Sequence, residues 1–216
     1  MSPSRLIGRE MMAKAAEADV AAVLSDLRRI NRWLGGHRVT QWAFNRLKPP
    51  RRFTVLDVGA ASGDNGRAIR AIWPGAAVTS LDITHHHLSA ADGGRVVADA
   101  FHLPVAARGV DYVYCSLFLH HFADDDVIRL LTGFAAVARR GVVVVDLERH
   151  RLAHLFMPAS RWLFRWHPMT VHDGQVSVET GFTASELRRL VMRAGLEGAR
   201  VTRHLPWFRL SITWGR

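Results

Sequence analysis

Short apolar runs alternate with amphipathic stretches along most of the chain. Seven segments have the pattern of β-strands: FTVLDV, AVTSLDI, RVVAD, VDYVYCSL, GVVVVDLE and two in the tail LEGARVTRHLPWFRLSITWGR, joined near Pro206. Four stretches between them predict helices: GRAIRAIW, a segment with Thr84 as its N-cap, residues 124–138 and FTASELRRLVMRAG. The run GVVVVDLE leaves no polar face, so we expect helices on both sides of it. The alternation predicts an α/β fold with a doubly wound, mostly parallel sheet.

Local signals indicate where several helices begin and end. Apolar residues recur at nearly helical spacing over residues 10–34, and the glycine pair 35–36 interrupts this pattern. A second helix is predicted for residues 39–47, directly before two prolines. Near the other end of the chain, Thr183 and Glu186 have the spacing of a capping box. The sequence therefore predicts a helical region in front of the α/β region.

Composition indicates one globular domain with excess positive charge. The 216 residues are 49% hydrophobic, and the formal net charge is +10, mostly from arginine. Such a charge suits nucleic acid, an anionic membrane surface or an acidic ligand, and it also occurs in arginine-rich genomes without further meaning. Cys115 is the only cysteine, which excludes an internal disulfide and a thiolate metal cluster. Because no signal-peptide core and no apolar run of roughly 20 residues is present, we expect a cytoplasmic protein.

The segment VLDVGAASGD carries the first chemical signal. It places Gly59, Ala61 and Gly63 directly after the first predicted strand, with Asp57 in front of them. A dinucleotide site would have G-x-G-x-x-G and would bring a pyrophosphate to the helix that follows. The carboxylate of Asp57 disfavours a pyrophosphate there and suits a cationic nucleotide. S-adenosylmethionine (SAM) is such a ligand, because it carries a sulfonium and an ammonium group and no phosphate.

Two further acids end the next two strands. Asp82 ends the second strand, where a carboxylate can accept hydrogen bonds from both ribose hydroxyls. Asp99 ends the third strand, where a carboxylate can accept from the adenine amino group. Each acid alone is better explained as a helix N-cap. An ordered set at three consecutive strand ends predicts a SAM site.

These motifs resemble those of class I SAM-dependent methyltransferases over residues 53–216. VLDVGAASGD, LDIT and VVADAFHLP resemble the first three family motifs, and DYVYCSLFLHHF resembles the fourth-strand motif of a subgroup that includes quinone-biosynthesis enzymes. RINRWLGGHR, ARRGVVVVDLERHRLAHLF and HDGQVSVETGFTASEL resemble a bacterial small-molecule branch associated with secondary metabolism. The resemblance implies a Rossmann-like, seven-stranded sheet with an antiparallel last strand, and S-adenosylhomocysteine (SAH) as the product.

The resemblance also implies roles for individual residues and a division of the chain. The residues implied in cofactor binding are Asp57, Gly59 and Gly63 at the methionine part, Asp82 at the ribose, Ile83, Asp99 and Ala100 at the adenine, and Ser116 near the amino group. Ala61 replaces the middle glycine, a mild penalty if its φ stays negative. The single domain 1–216 divides into a helical cap (1–50), a SAM-binding half (53–146), an acceptor-lid insert (147–180), and a C-terminal helix with a strand hairpin (181–216).

Several methyltransferase subclasses do not fit the fourth and fifth strands. The fourth strand ends without the Pro-Pro-aromatic motif of enzymes that methylate base amines, and no Pro-Cys nucleophile of cytosine-C5 enzymes is present. Asp146 is followed by Leu147 and not by the asparagine of metal-dependent catechol enzymes. The three consecutive histidines 85–87 would point in different directions on a helix. We therefore expect no metal site and no nucleic-acid substrate.

Three histidines are candidate general bases. His120 and His121 follow the fourth strand near the expected position of the sulfonium methyl group, and His172 precedes Asp173 in the insert. A neutral imidazole could take the proton of an acceptor hydroxyl, such as a phenol with a pKa of about 10. The histidines could equally be structural, because positioning and desolvation can supply most of the acceleration of a direct displacement.

Regions outside the sheet are expected to select the acceptor. The candidate contact residues are Trp33, His37, Trp162 and Trp166, within an aromatic helical region and an aromatic insert. These residues predict a small lipophilic or aromatic acceptor, although ordinary core packing is an alternative. Arginines alternate with aromatics in the insert, which also suits a helix on an anionic membrane.

The preferred reading is O-methylation of a phenol- or polyketide-like hydroxyl in secondary metabolism. The alternatives are C-methylation of a quinol-like ring and a non-catalytic SAM-binding protein. Binding of RNA or DNA through the arginines is a third reading, which predicts an affinity that falls steeply with salt. The pattern leaves open whether the protein is a monomer or a homodimer.

Overall fold

The computed structural model describes residues 17–216 and shows alternating strands and helices. The strands are β1 (Phe53–Val58), β2 (Ala76–Asp82), β3 (Gly94–Val97), β4 (Val110–Ser116), β5 (Ala138–Leu147), β6 (Arg200–His204) and β7 (Arg209–Gly215). The α-helices are α1 (Glu17–Trp33), α2 (Gly36–Leu47), α3 (Asp64–Ile72), α4 (Asp124–Val137), α5 (Arg151–Phe164), α6 (Pro168–Thr180) and α7 (Ala184–Arg193). Short 3₁₀ helices span His85–Ala90 and Leu119–His121.

The strands form one seven-stranded sheet in the order β3-β2-β1-β4-β5-β7-β6. All neighbouring pairs from β3 to β5 are parallel, and β7 runs antiparallel to both β5 and β6. The strand order reverses between β1 and β4, which opens a crevice at the carboxyl ends of these strands. The predicted Rossmann-like, mostly parallel sheet with an antiparallel last strand is confirmed.

Helices cover both faces of the sheet, as the valine run of β5 predicts. Val142 and Val144 are fully buried on the face covered by α4 and α7. Val143 and Val145 are fully buried on the other face, against the α2 residues Val39, Ala43 and Phe44. Because successive side chains of a strand point to opposite faces, this alternation requires two cores, one on each side.

The predicted helix limits are largely reproduced. The glycine pair separates α1 from α2, where Gly35 has a φ of 80°. Thr183 and Glu186 form the predicted capping box at the start of α7. The predicted start of the first helix near residue 10, and residues 1–16 of the predicted cap, lie outside the described residues.

Two helical segments differ from the prediction. After β2 a 3₁₀ helix forms, and Thr84 makes no side-chain cap; the carboxylate of Asp82 instead accepts a hydrogen bond from the Thr84 backbone N–H. The insert after β5 folds into α5 and α6, where only an aromatic lid is predicted. Asp26 of α1 ties this insert to the cap, because its carboxylate accepts hydrogen bonds from the His167 backbone N–H and from Arg29.

Candidate active site

A cavity of about 1200 Å³ lies at the carboxyl ends of β1, β2, β4 and β5. Helices α1, α5 and α6 form its outer wall. That wall is mainly apolar and includes Leu24, Leu27, Ile30, Leu152, Phe156, Met157 and Val178. The sheet edge contributes the polar residues, among them Asp64, Asp82, Ser116, His120 and Arg209. One side of the cavity is therefore suited to polar recognition and the other to an apolar molecule.

The glycine loop after β1 forms part of the floor of this cavity. Gly59 and Gly63 both have a φ of 67°, a conformation that side chains rarely adopt. A Cβ at Gly59 would lie 2.3 Å from the ring of Phe118, and one at Gly63 would lie 2.7 Å from the Cβ of Ala91. These two positions therefore require glycine, both for their conformation and for the close packing around the loop. Gly63 itself does not line the cavity.

Ala61 departs from the expected conformation. Its φ is 46°, so the condition for a mild penalty, a negative φ, is not met. The left-handed conformation costs a non-glycine residue about 1–2 kcal/mol. The backbone N–H of Ala61 donates to Oδ2 of Asp82 at 3.0 Å, and this bond to a charged group helps to hold the strained loop in place.

Asp82 presents an ionised carboxylate at the end of β2. Burial alone would raise its pKa, but hydrogen bonds from His87 and from the backbone of Thr84 and Ala61 outweigh this effect and hold the pKa below its usual value. The Nδ1 atom of His87 lies 3.2 Å from Oδ1. A carboxylate has about four acceptor positions, so one hydroxyl group of a ligand can add to these three bonds. The adjacent Ile83 lines the cavity and is 71% exposed, available to pack against a ring.

Asp57 lies beneath the loop and does not reach the cavity surface. It is 1% exposed, and Oδ2 makes no hydrogen bond to any residue that the structure describes. Burial raises its pKa well above the usual value, repulsion by Asp64 and Asp82 raises it further, and Arg70 offsets only part of the shift. Asp57 is thus placed to respond electrostatically to a cation above the loop.

The predicted adenine-edge residues lie apart from the cavity. Neither Asp99 nor Ala100 lines it. The carboxylate of Asp99 accepts a hydrogen bond from the backbone N–H of Phe101 and lies 3.0 Å from Nδ1 of His102. Asp99 thus stabilises the turn that follows β3. Ser116, by contrast, lines the cavity at the end of β4, and its contact with the amino group of SAM stays a prediction.

His120 and Asp146 form a buried pair in the cavity wall. Nδ1 of His120 lies 2.6 Å from Oδ1 of Asp146, and their side chains are 2% and 0% exposed. Oδ2 of Asp146 accepts from the backbone N–H groups of Leu119 and His120, and Oδ1 accepts from that of Leu147. Burial alone would raise the pKa of Asp146, but the charge of His120 and these hydrogen bonds hold it below its usual value.

The other two candidate bases differ in position. His121 lines the cavity, and its ring centroid lies 4.2 Å from that of His120. His172 is half-exposed on α6 and does not line the cavity; its Nδ1 lies 3.0 Å from Oδ1 of Asp173. The structure thus brings two of the three candidate histidines together at the site.

The four predicted acceptor contacts do not line the cavity. Trp162 is 86% exposed, and Trp33 is half-exposed. Trp166 is buried in the insert, where its Nε1 donates to Oγ of Ser160. His37 packs behind the wall, with its Nε2 3.4 Å from Oδ2 of Asp64. The predicted regions do form the wall of the cavity. However, α1 and α5 are rotated so that residues other than Trp33 and Trp162 point into it.

Two functional candidates were missed in the sequence. The sequence pattern presents Asp146 only as a candidate metal ligand, although this residue lies at the end of a buried strand as Asp57 and Asp82 do. Its position at a strand end is the local signal that marks it as a site residue. Arg209 lines the cavity from the first position of β7 and is 1% exposed. No local pattern marks it, because its burial depends on α1 packing over the end of β7.

The donor set of the cavity suits SAM. Gly59 has no side chain where the ring of Phe118 approaches, so the turn presents bare backbone. The carboxylate of Asp82 lies at the end of β2, the strand next to β1. Arg209 is the only arginine or lysine among the described residues that line the cavity, and it does not lie in the glycine loop. A pyrophosphate would lack a cationic partner there. In residues 17–216, no three His, Cys, Asp or Glu side chains are grouped so that they could hold a metal ion.

A family profile described as a methyltransferase domain matches residues 27–201, most of the chain. The chain belongs to this methyltransferase family. The resemblance to class I SAM-dependent methyltransferases is thereby confirmed. A comparison with curated protein sequences found no match.

Several solved methyltransferases share the fold. The plantazolicin methyltransferase BpumL, solved with a pentazolic desmethylPZN analog and SAH, has a TM-score of 0.67 at 13% identity over 93% of this chain and 92% of its own. Human N-acetylserotonin methyltransferase with SAM has a TM-score of 0.61 at 17% identity, over 88% and 53%. A candidate O-methyltransferase from Nostoc punctiforme has a TM-score of 0.54 at 20% identity, over 76% and 51%. The chain thus spans about half the length of the last two proteins.

Helix length bears on membrane insertion. Within residues 17–216, no helix combines the length and the apolar character that crossing a bilayer requires.

Proposed function

We propose that this methyltransferase transfers the methyl group of SAM to a hydroxyl oxygen of a small, lipophilic aromatic acceptor, with His120 as the general base. The observation that carries this proposal is the buried His120–Asp146 pair in the wall of a largely apolar cavity. A phenol- or polyketide-like acceptor of secondary metabolism has the matching chemistry. When bound, SAM supplies an electrophilic methyl group, and the protein has to place and deprotonate the acceptor.

Asp146 determines which nitrogen of His120 can act. An ionised carboxylate only accepts hydrogen bonds, so the Nδ1 atom 2.6 Å from Asp146 has to donate. In the neutral ring the lone pair then lies on Nε2, which is the atom able to take a proton. As His120 gains positive charge, the buried carboxylate stabilises it, as the third group of a nucleophile–base–acid arrangement does. The arrangement supports proton removal from an acceptor hydroxyl.

The opposite wall supports an apolar acceptor. Leu27 and Ile30 of α1 face the cavity together with Phe156 and Met157 of α5. Burial of an aromatic ring against such side chains is favourable by about 25 cal/mol per Å². It also keeps water away from the reacting atoms. A hydroxyl-bearing ring held there could be presented to His120 from the apolar side.

The proposal is tested by turnover of SAM with a panel of phenols and hydroxylated aromatics. The products are SAH and a methyl ether, and NMR of the product separates a methoxy group from a ring methyl group. We expect His120→Gln to lower kcat roughly 10²- to 10⁴-fold. SAH affinity, measured by calorimetry, should stay within about twofold.

A matched control is His154→Gln on α5, where the imidazole also pairs with a carboxylate, that of Glu179 at 2.9 Å. This variant should keep its activity because His154 does not line the cavity. If a folded His120→Gln protein turned over as fast as wild type, His120 would not be the general base. Methylation of ring carbon would refute the O-methylation proposal.

A further inference from the structure

Arg209 is a buried cation in the wall of the cavity. It is the first residue of β7 and pairs in register with Leu147, the last residue of β5. This register places it at the sheet edge where the strand ends meet. It is 1% exposed, although arginine is rarely buried so completely without an acidic partner.

The guanidinium is fixed from one side. Its Nε donates to the backbone oxygen of Leu34 at 3.1 Å, and Nη2 donates to Oδ1 of Asn31 at 3.5 Å. Nη1 makes no hydrogen bond to any residue between 17 and 216. None of the ion pairs within 4.0 Å in that part of the chain involves Arg209. The side chain is therefore held in one orientation with one edge of its fork unused.

Arg209 stays charged at neutral pH despite this environment. Burial lowers its pKa to about 10, while the nearby Tyr114 and the carboxylates of Asp146 and Asp64 act in the opposite direction. A buried charge that lacks a paired partner destabilises a protein considerably. Groups with such perturbed pKa values cluster at functional sites, where a ligand of opposite charge can complete their environment.

A negative charge lies next to this cation but is kept apart from it. Asn31 donates through Nδ2 to Oδ2 of Asp64 at 3.0 Å, and its Oδ1 accepts from Arg209. Burial alone would raise the pKa of Asp64, but hydrogen bonds from His37 and Asn31 hold it below its usual value. Both Asp64 and Arg209 line the cavity. The wall thus presents a carboxylate and a guanidinium with a neutral amide between them.

We propose that Arg209 binds a carboxylate in this cavity, and that Arg209 and Asp64 together suit a zwitterionic amino-acid group. The carboxylate can belong to the amino-acid end of SAM or to an acidic aromatic acceptor. The guanidinium fork matches a carboxylate in geometry and charge. The choice between SAM and the acceptor as the source of the carboxylate rests on the proposed function. The preference of Arg209 for a carboxylate does not.

The first test compares SAH with its decarboxylated analogue, 5′-(3-aminopropylthio)-5′-deoxyadenosine, by calorimetry. A charged hydrogen bond of about 1.5–3 kcal/mol corresponds to a preference of about 10- to 100-fold. We expect wild type to prefer SAH by that factor and Arg209→Gln to lose the preference. Arg129→Gln, on the exposed face of α4, should keep it. Loss of the preference on mutation assigns the cofactor carboxylate to Arg209.

The second test uses salicylate and its neutral amide, salicylamide, with saturating SAH. A preference for salicylate that disappears in Arg209→Gln assigns the carboxylate to the acceptor. If wild type shows no preference in either pair, the proposal is overturned, and this result needs no folded variant. A folded variant that keeps every wild-type preference also overturns it. Because the readout is binding, a protein that prefers carboxylates but transfers no methyl group would refute only the proposed function.

A second, independent feature is the solvent face of α5. Its exposed apolar residues are Leu152, Leu155, Phe156, Ala159, Trp162 and Leu163. Their spacing places them on one stripe of the helix. Trp162 and Leu163 are 86% and 80% exposed, values unusual for large apolar side chains.

Positive charge borders this stripe. Arg151, Arg161 and Arg165 are exposed at its edge, and the sequence of α5 contains no acidic residue. The guanidinium of Arg161 lies 5.5 Å from the ring centroid of Trp162. A solvent-facing apolar stripe with arginines along one side is typical of helices that lie in a membrane interface.

The stripe is continuous with the cavity. Leu152 and Phe156 belong to both, and the neighbouring Ala153 and Met157 line the cavity wall. An apolar molecule on this face could therefore reach the cavity without crossing a polar surface. We infer that α5 docks on an anionic lipid bilayer, with the apolar stripe towards the acyl chains and the arginines at the headgroups.

The test is co-sedimentation with vesicles of phosphatidylcholine alone and vesicles that also contain phosphatidylglycerol. We expect binding to the anionic vesicles only, loss of binding in Leu163→Asp, and a loss of about fivefold per arginine in Arg161→Gln and Arg165→Gln. Met192→Asp, a change at a residue of α7 that is 78% exposed, is the matched control and should bind like wild type.

Sedimentation equilibrium without lipid separates this inference from self-association. A wild-type dimer that Leu163→Asp converts to a monomer, together with no vesicle binding, would overturn it and assign the stripe to a homodimer. Equal binding of wild type and Leu163→Asp to anionic vesicles would also overturn it.

Discussion

Asp57 in β1 and Asp146 in β5 are both buried carboxylates near the carboxyl ends of parallel strands, but their surroundings differ. Asp57 has one oxygen with no hydrogen bond to any described residue, and two further acids repel it. Asp146 accepts three backbone N–H groups and pairs with His120. Burial raises the pKa of the first, whereas in the second the charge of His120 and the hydrogen bonds outweigh burial and lower it.

The difference shows that donors, and not depth, decide the charge of a strand-end acid. At the ends of β4 and β5, groups of the protein itself supply the hydrogen bonds of Asp146. This carboxylate can therefore hold the catalytic imidazole in a fixed orientation before any substrate binds. The β1–β2 side keeps an unsatisfied carboxylate below a strained loop, where a cationic ligand would supply the missing interaction. Substitutions at the two acids should therefore have opposite effects on stability.

The largest effect is expected for Asp146→Asn. Both oxygens of Asp146 face N–H donors, so an amide group in either orientation would point its NH₂ at other donors. Loss of two hydrogen bonds to a charged group should lower the free energy of unfolding by about 3–5 kcal/mol, as measured by urea denaturation. Asp125→Asn, at a side chain 85% exposed, is the control and should change little. A loss below about 1 kcal/mol would contradict the satisfied network.

The same change at Asp57 should act in the opposite direction. At Oδ2 of Asp57 no donor is lost, and the neutral amide removes the repulsion by Asp64 and Asp82. In the absence of ligand at pH 7, we expect Asp57→Asn to raise the free energy of unfolding by about 1–3 kcal/mol. Urea denaturation measures this, and a less stable variant would show that the charge of Asp57 is compensated in the folded protein.

The pH dependence of stability should separate the two acids further. Asp57, whose pKa is raised, stabilises the fold below its unfolded pKa of about 4, and this contribution is lost as pH rises through the folded value. Asp146, whose pKa is lowered, stabilises the fold above about pH 4, and this contribution is lost as pH falls through the folded value.

Denaturation of wild type and both variants between pH 3 and 7 measures this difference. The advantage of Asp57→Asn over wild type should grow as pH rises above about 4, whereas the deficit of Asp146→Asn should shrink as pH falls below about 4. Parallel curves for all three proteins would rule out both assignments.

The smallest effect is expected for Ala61→Gly on the β1 side. Glycine relieves the strain of a φ of 46°, about 1–2 kcal/mol, but its flexible unfolded state offsets about 0.4–1 kcal/mol. A gain of up to about 1 kcal/mol should appear as a higher Tm. Ala60→Gly, at a neighbour without positive φ, should be destabilising instead. Similar losses in both variants would mean that Ala61 is not strained.

Some site residues were predictable because their signal is local. Asp82 lies at the end of one apolar run, and Gly59 lies in the turn after another. Each is therefore marked by its residue type together with its position. His120 was predictable as a candidate base but not as a paired one, since its partner Asp146 lies 26 residues further along the chain. Only its residue type predicts Trp162 as an acceptor contact, and the phase of α5 turns its side chain towards solvent.

The succession of the seven strands, the two-sided burial of β5 and the glycine turn could be predicted from the sequence, because each depends on periodicity or backbone conformation within a few residues. Which carboxylate meets a donor and which does not depends on how distant parts of the chain pack together. The tertiary structure brings Asp146 to His120 across neighbouring strands, leaves Oδ2 of Asp57 without a partner among the described residues, and encloses Arg209 beneath α1. Charge and protonation depend on such distant neighbours, because desolvation and hydrogen bonding act through space and not along the chain.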